Sequence, residues 1–336
     1  PCINPDGRDR YVTFFKQNRS IPYDNNRDSR EHAEPWHNGR TNHYIFDLNR
    51  DWAWLTQIES QKRIVQYNRW LPHIHVDFHE QGINSPYYFA PAAKPYHEII
   101  TDFQIDFQDT LGKNHAKYFD KNGWFYFTKQ RFDLLYPSYG DTYPMFLGSI
   151  GMTYEQAGGG IAGLGVKNDE NLVLTLKDRI EHHYTTGIST VEMASKNRIQ
   201  LNKNYQTFFS DKNLKYKNFV LEGDIYKIND LKDFLNKHQI KSSYLKSEEI
   251  IRGIDFKSQK NTNLSFKKNS LVIPTNQVKG KMVQVLFEPK TKLSDSLTYD
   301  ITAWSLVYAY GLKGIATKEN INTVDVIIEK QKQVLI

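Results

Sequence analysis

The chain has 336 residues, a formal net charge of +6, and 39% hydrophobic and 14% aromatic residues, a composition typical of one large or two ordinary soluble domains. No run approaches the ~18 apolar residues that a membrane helix needs, which excludes an integral membrane protein. The single cysteine, Cys2, excludes an internal disulfide and a cysteine-based metal site. Lysines after residue 195 are scattered among Asn, Ser and Asp without aromatic stacking partners, so we interpret them as solvated surface and expect no nucleic-acid partner.

The first half of the chain alternates helical and strand patterns. Residues 1–65 are predicted to be mostly loop, with a turn at Asn4-Pro5-Asp6-Gly7. The spacing of apolar residues then predicts a helix over 57–70, a strand over 74–78, a helix over 98–119, a buried strand over 152–155 and a long helix within 169–195. This alternation predicts an α/β layer architecture.

The composition changes near residue 195. Apart from Trp304 and His238, every Trp and His lies before residue 200. Later patterns predict strands over 218–221, 243–245, 271–274 and 282–287, a helix over 229–238 capped by Asn229, and a buried helix over 301–310. We therefore predict a catalytic domain over 1–200 and a smaller α/β accessory domain over 201–336, to which the sequence assigns no role.

The densest group of ionisable residues is Pro72-His73-Ile74-His75-Val76-Asp77-Phe78-His79-Glu80. Alternate residues of a strand share a face, so this spacing predicts that the three histidines and Asp77 point the same way. Imidazole and carboxylate are ligands that zinc accepts. Two interpretations are open: an amidohydrolase-like metal hydrolase that uses His73, His75 and His79, or a zinc carboxypeptidase in which this strand supplies only its last histidine.

Four motifs across residues 1–195 resemble the carboxypeptidase A/B family of zinc peptidases in order and approximate spacing. They are Asn4-Pro5-Asp6-Gly7, Phe46-Asp47-Leu48-Asn49-Arg50-Asp51-Trp52, Val76-Asp77-Phe78-His79 and Met152-Thr153-Tyr154-Glu155. The resemblance implies an eight-stranded mixed sheet flanked by helices, one zinc ion, and removal of C-terminal residues from peptides or proteins.

The resemblance also assigns roles. His79 matches a zinc ligand, and Glu155 matches the general base that takes a proton from water activated by zinc. Asn49 and Arg50 match the pair that grips the terminal carboxylate of the substrate, and Arg40 is the best match for the arginine that polarises the scissile carbonyl. Tyr136, with Tyr139 as the alternative, matches the tyrosine that closes over the substrate. The floor of the specificity pocket is expected near Tyr143, beside Thr142 and Asp141, which favours uncharged terminal residues.

The chemistry accounts for these residue types. Zinc lowers the pKa of bound water to about 7, and a carboxylate within reach accepts the proton and passes it to the leaving amine. A guanidinium matches the planar fork of a terminal carboxylate, and a second one stabilises the oxyanion that develops on the carbonyl.

The family takes its first two zinc ligands from a His-x-x-Glu motif upstream of the Asn-Pro-Asp-Gly turn. This sequence has no such motif before position 4, and His32-Ala33-Glu34 has the wrong spacing. We therefore expect a truncated domain that binds zinc poorly, from a periplasmic or extracellular enzyme. A peptide- or glycan-binding relative without catalysis is the non-enzyme alternative.

Overall fold

A computed structural model describes residues 2–161, 163–211, 213–293, 298 and 304–325 of the chain. The described chain forms two compact units, one made of the residues up to Ser210 with residues 292, 293 and 298, and the other made of Asp211–Thr291 with residues 304–325. Composition placed this boundary near residue 200. The structure places it later, because the helix Arg198–Ser210 packs Leu201 into the core of the first unit.

The first unit contains helices, short 3-10 helices and strands in a mixed α/β arrangement. The helices are α1 Pro5–Asn18, α2 Ile58–Trp70, α3 Asp102–Asn122, α4 Thr142–Met145, α5 Leu176–Lys196 and α6 Arg198–Ser210, with 3-10 helices at Arg30–His32 and Leu48–Arg50. The strands are β1 Ile74–Gln81, β2 Tyr87–Tyr88, β3 Tyr126–Phe127, β4 Ile150–Ala157, β5 Gly165–Lys167 and β6 Val173–Thr175. The predicted helices and strands of this half correspond to α2, β1, α3, β4 and α5, with different ends.

The first segment is a helix where the sequence predicted a turn. Asn4 is the N-cap of α1: its side-chain oxygen accepts a hydrogen bond from the backbone N–H of Gly7 at 3.0 Å, and Pro5 opens the first turn. Asn, Pro and Asp are as favourable at a helix start as in a turn, so the same residues fit both structures. The amide of Asn4 also donates to the carbonyl of Thr41 at 3.0 Å, which ties α1 to the loop that carries Arg40.

The main sheet of the first unit is mixed. Its strand order is β1-β4-β2-β3, with β1 parallel to β4, β2 antiparallel to β4, and β3 parallel to β2. The eight-stranded sheet implied by the resemblance is not found among the described residues, because the chain before β1 folds into helices and loops. The parallel pair β1 and β4 carries the site described below.

Helices α3 and α5 cover one face of this sheet. The core between them contains Phe119 and Leu111 of α3 and Tyr154 of β4, all fully buried. His115 of α3 lies inside this core, where Nε2 contacts the hydroxyl of Tyr154 at 2.8 Å and Nδ1 contacts the hydroxyl of Ser189 at 2.7 Å. Burial lowers the pKa of His115 to about 3, so this histidine is neutral and serves packing.

The second unit is built on an antiparallel sheet in the order β10-β9-β12-β7-β11-β8-β13. Its elements are β7 Asn218–Glu222, α7 Ile225–Lys237, β8 Ser243–Leu245, β9 Glu249–Asp255, β10 Asn261–Phe266, β11 Leu271–Pro274, α8 Gly280–Phe287, α9 Leu306–Ala309, β12 Lys313–Thr317 and β13 Thr323–Val324. The predicted strands over 218–221, 243–245 and 271–274 are present as β7, β8 and β11.

Three predictions for this half were wrong in detail. Residues 282–287 lie in α8 and not in a strand; every residue of α8 is buried, and a short apolar run of this kind fits either structure. Helix α7 is capped by Asp224, whose side chain accepts from the N–H of Tyr226, and not by Asn229. The helix predicted over 301–310 is only α9, and residues 301–303 lie outside the described part of the chain. No helix among the described residues is long and apolar enough to cross a membrane.

Candidate active site

His79 and Glu155 face each other near the C-terminal ends of β1 and β4. In the parallel pairing of these strands the two residues are direct partners, as are Asp77 and Thr153 two residues earlier. Side chains at paired positions lie on the same face of a sheet, so a carboxylate and an imidazole from distant parts of the sequence come together here. The C-terminal edge of parallel strands is where open α/β sheets usually bind ligands.

The imidazole of His79 is held from one side. Its Nε2 lies 2.8 Å from Oδ2 of Asp77, and Nδ2 of Asn49 lies 2.8 Å from the same nitrogen. The amide of Asn49 is oriented in turn by the indole of Trp52, which donates to its Oδ1 at 3.0 Å. Oδ2 of Asp77 has no hydrogen-bond partner in the described chain, so its approach to Nε2 is an ion-pair contact, and the hydrogen bond at Nε2 is the one with the Asn49 amide. No described residue makes a hydrogen bond to Nδ1 of His79.

The pKa values of this pair reflect their contact. Burial by itself lowers the pKa of His79, but the close contact and charge of Asp77, together with the charge of Glu155, outweigh it and leave the pKa above its usual value. Burial raises the pKa of Asp77, yet the contacts with His79, His75 and Asn49 bring it below the usual value. Both directions favour the ionised pair.

The pKa of Glu155 is shifted in the opposite direction from that of Asp77, because burial favours the protonated form of Glu155. It is 8% exposed, and Oε2 is buried without a hydrogen-bond partner in the described chain. Burial raises its pKa to about 7; His79 and Arg40 oppose this shift, whereas the charges of Asp77 and Asp141 add to it. A carboxylate with a pKa near neutrality and an unused oxygen is suited to accept and return a proton.

Three polar residues that precede α2, Arg40, Asn49 and Arg50, reach the same cavity, and Asp47 supports two of them. The side chain of Asp47 accepts from the N–H of Asn49 at 2.8 Å and so begins the 3-10 helix Leu48–Arg50. Arg40 makes an ion pair with Asp47 at 3.0 Å, and the guanidinium of Arg50 lies 4.4 Å above the ring of Tyr139. Arg40, Asn49 and Arg50 all line the cavity that contains His79 and Glu155.

The tyrosines named from the resemblance occupy different positions. Tyr139 lines the cavity. Tyr136 packs against the ring of Tyr139, with a ring-centroid separation of 4.9 Å, and its hydroxyl accepts a hydrogen bond from the indole of Trp54 at 2.5 Å. Tyr143 is fully buried and packs on Trp52, at a ring-centroid separation of 5.8 Å. The structure therefore places Tyr143 in the aromatic core, not on the cavity wall, while its neighbour Asp141 lines the cavity.

The cavity has a volume of about 210 Å³ and includes residues that the sequence analysis did not single out. Arg131, Asp133, Gly140 and Thr153 belong to this group. A Cβ on Gly140 would lie 2.1 Å from Oδ2 of Asp77 and 2.7 Å from Oδ1 of Asn49, so only glycine allows this approach. Gly140 lies between Tyr139 and Asp141, two residues considered in the sequence analysis, and this position could have indicated its place in the site. No sequence pattern indicated that Arg131 and Asp133 line the cavity.

Asp141 is a second buried acid of the cavity. Its carboxylate accepts hydrogen bonds from the hydroxyls of Thr142 at 3.0 Å and Thr153 at 2.9 Å. Burial raises its pKa to about 6, against the effect of these two hydrogen bonds and with a further contribution from the charge of Asp77. The cavity therefore holds two acids, Glu155 and Asp141, that titrate closer to neutrality than ordinary carboxyls.

The other two histidines of the strand region have separate surroundings. His73 precedes β1 and stacks on Tyr205 with ring centroids 4.1 Å apart. His75 packs edge-on against Trp52 at 5.3 Å, and burial lowers its pKa to about 4. Neither residue lines the cavity of His79 and Glu155, so the three histidines do not form one cluster.

The residues present fit part of a zinc site. Nδ1 of His79 has no protein partner among the described residues, and Asp77 lies against the opposite ring nitrogen, the arrangement by which a carboxylate orients a zinc-bound imidazole. A catalytic zinc has three protein ligands. In the described chain, no group of three or more His, Cys, Asp or Glu side chains is arranged to hold a metal ion.

No family model, curated protein or solved structure shows significant similarity to this chain.

Proposed function

We propose that the chain is part of a metal-dependent hydrolase and, more specifically, of a zinc carboxypeptidase that removes the C-terminal residue of peptides. The observation that carries this proposal is Glu155, whose buried Oε2 has no partner and whose pKa is about 7, opposite His79 on the neighbouring strand. The same cavity is lined by Arg40, Asn49 and Arg50, whose guanidinium and amide groups can bind the terminal carboxylate and carbonyl of a peptide.

In this proposal Glu155 is the general base. Its carboxylate accepts the proton of the attacking water and returns it to the amine that leaves. Its raised pKa brings it close to the operating pH, where a base is both ionised and strong enough to take the proton. Zinc, when bound, supplies the Lewis acidity that makes water a nucleophile near neutral pH. His79, oriented by Asp77, is the residue of this chain that would hold it.

Arg50 and Asn49 recognise the terminal carboxylate, and Arg40 stabilises the oxyanion. Arg50 lies over Tyr139, which restricts its orientation, and its side chain lines the cavity, where a guanidinium can bind a carboxylate. Arg40 is close enough to Glu155 and His79 to lower the pKa of both, so its charge acts at the centre of the site. The ion pair with Asp47 keeps its guanidinium in this position.

The test is hydrolysis of a free-acid peptide and of the same peptide amidated at its C-terminus, followed by mass spectrometry with added zinc. We expect the free acid to lose one C-terminal residue, with only slow residual hydrolysis of the amidated peptide. Glu155→Gln removes the base without changing shape and is expected to lower kcat at least about 100-fold. Glu170→Gln, on an exposed turn, is the matched control and should leave kcat unchanged.

Equal hydrolysis of the amidated peptide would contradict a carboxypeptidase. Metal-dependent hydrolysis that survives in Glu155→Gln would instead favour a centre built on the histidines of the strand region. That alternative is less well supported, because His73 and His75 pack against aromatic rings away from the cavity.

A further inference from the structure

A second and larger cleft lies beside the cavity of His79 and Glu155. Its volume is about 1040 Å³, compared with about 210 Å³ for the first. It is lined by residues 91–94 and 96, the outer face of α3 and residues 129–131. Arg131 lines both cavities, so the two are neighbours.

The charged residues of this cleft are four cations and two acids. They are Lys94, Lys113, Lys129, Arg131, Asp106 and Asp109. Lys113 contacts Asp109 at 2.5 Å and Lys129 contacts it at 3.5 Å, and the hydrogen bond from Lys113 is the main reason that the pKa of Asp109 lies below its usual value. In the described chain neither Lys94 nor Arg131 has an ion-pair partner. The cleft therefore has an excess of positive charge.

The backbone places Arg131 at the junction of the two cavities. Lys129 and Arg131 both have left-handed conformations, with φ of 58° and 70°, and the N–H of Lys129 donates to the carbonyl of Pro91 at 2.8 Å. The guanidinium of Arg131 lies 5.7 Å from the ring centroid of Phe132, a residue of the catalytic cavity. A ligand that extends from the catalytic cavity past Phe132 meets Arg131 first.

We propose that this cleft binds acidic side chains of a peptide whose C-terminus occupies the catalytic cavity, with Arg131 and Lys94 as the residues that select them. The direction of the peptide rests on the proposed function; the preference for negative charge rests on the cleft alone. Asp106 and Asp109 favour a peptide over a nucleic acid, because they repel a continuous phosphate backbone, whereas separate acidic side chains can lie beside the cations.

A binding measurement tests the preference for acidic side chains without hydrolysis of the peptide. The full chain carrying Glu155→Gln is titrated with two fluorescein-labelled hexapeptides that end in the same free-acid residue, one with three Glu and one with three Gln upstream, and anisotropy is followed. We expect the Glu peptide to bind about 3- to 10-fold more tightly, from two partly exposed charge pairs, with an advantage that shrinks as salt is raised.

Substitutions of Arg131 and Lys94 test whether these residues cause the preference for the Glu peptide. Arg131→Gln and Lys94→Gln are each expected to remove part of this advantage and the double variant nearly all of it, whereas Arg131→Lys keeps it. Lys117→Gln, an exposed α3 residue outside the cleft, is the matched control and should change nothing. An unchanged thermal unfolding midpoint shows that each variant is folded.

Equal affinity of the natural cleft for the two peptides, or an undiminished advantage in the double glutamine variant, would overturn the proposal. Tighter binding of a single-stranded oligonucleotide of equal charge would also overturn it, in favour of nucleic acid. A chain that discriminates between the peptides but hydrolyses neither free acid contradicts the proposed function and leaves this inference standing.

Discussion

His79 and Glu155 are direct partners across the parallel strands β1 and β4, although 75 positions separate them in the sequence. The pairing brings a buried acid with a pKa of about 7 beside a histidine whose pKa is raised by its contact with Asp77.

The rate of hydrolysis should depend on the ionisation of Glu155. The pKa of this carboxyl is raised to about 7, so the base form is scarce at pH 6 and dominant at pH 8. We expect kcat/KM to rise about tenfold per pH unit below pH 7 and to level above it. A profile from pH 5 to 9 on the free-acid peptide checks this; a flat profile between pH 5.5 and 8 would exclude Glu155 as the base.

Glu155 should also weaken the fold at high pH. Its folded pKa of about 7 lies above the ordinary value of 4.5, so the folded state binds the proton more tightly and this contribution to stability is lost as pH rises through about 7. Glu155→Gln has no charge to bury and is expected to be more stable than the natural chain at pH 8, by on the order of 1–3 kcal/mol. The difference should shrink at pH 5.5. Urea unfolding at the two pH values measures it, and equal differences would contradict the shift.

Arg50 should determine affinity for the terminal carboxylate. Arg50→Gln removes a charge-assisted hydrogen bond, worth about 1.5–3 kcal/mol, and should lower kcat/KM about 10- to 100-fold for the free-acid peptide. Residual hydrolysis of the amidated peptide should not change, because that substrate lacks the carboxylate. Arg69→Gln, on the exposed side of α2, is the control. An equal loss on both substrates would assign Arg50 to the support of Tyr139 instead.

Gly140 should be needed for the contact between Asp77 and His79. A Cβ at this position would lie 2.1 Å from Oδ2 of Asp77, so Gly140→Ala must displace the carboxylate. Loss of that partner should lower the pKa of His79, which NMR titration of its ring measures. Gly187→Ala, whose Cβ would lie an ordinary 3.7 Å from Phe78, is the control and should leave the pKa unchanged.

The cap of α1 should contribute to stability. Asn4→Ala removes both the acceptor for the N–H of Gly7 and the donor to Thr41, and should cost about 1–2 kcal/mol in urea unfolding. Asn4→Ser keeps an acceptor but loses the donor, so its cost should be smaller. A cost for Asn4→Ser equal to that of Asn4→Ala would show that the link to the Arg40 loop, and not the cap, is what matters.

The local patterns of the first half predicted the major helices and strands that carry the site. The strand at His79 and the strand at Glu155 were predicted from short apolar runs, and both exist as longer strands. The errors lie where one pattern fits two structures. The segment that begins at Asn4 can cap a helix or form a turn, and the apolar run of α8 fits a strand or a buried helix. Sequence alone cannot separate these cases, because contacts made elsewhere in the fold decide between them.

The sequence by itself determined which residue types were available: a histidine and an acid at strand ends, Arg40 and Arg50 before α2, and no cysteine pair. Only the tertiary structure decided which of them meet. Strand register places Glu155 beside His79, and packing sends His73, His75 and Tyr143 to aromatic surroundings. Arg131 and Gly140 enter the site for the same reason. A cavity is formed by contacts between distant segments, and the local pattern of residues along the chain does not determine those contacts.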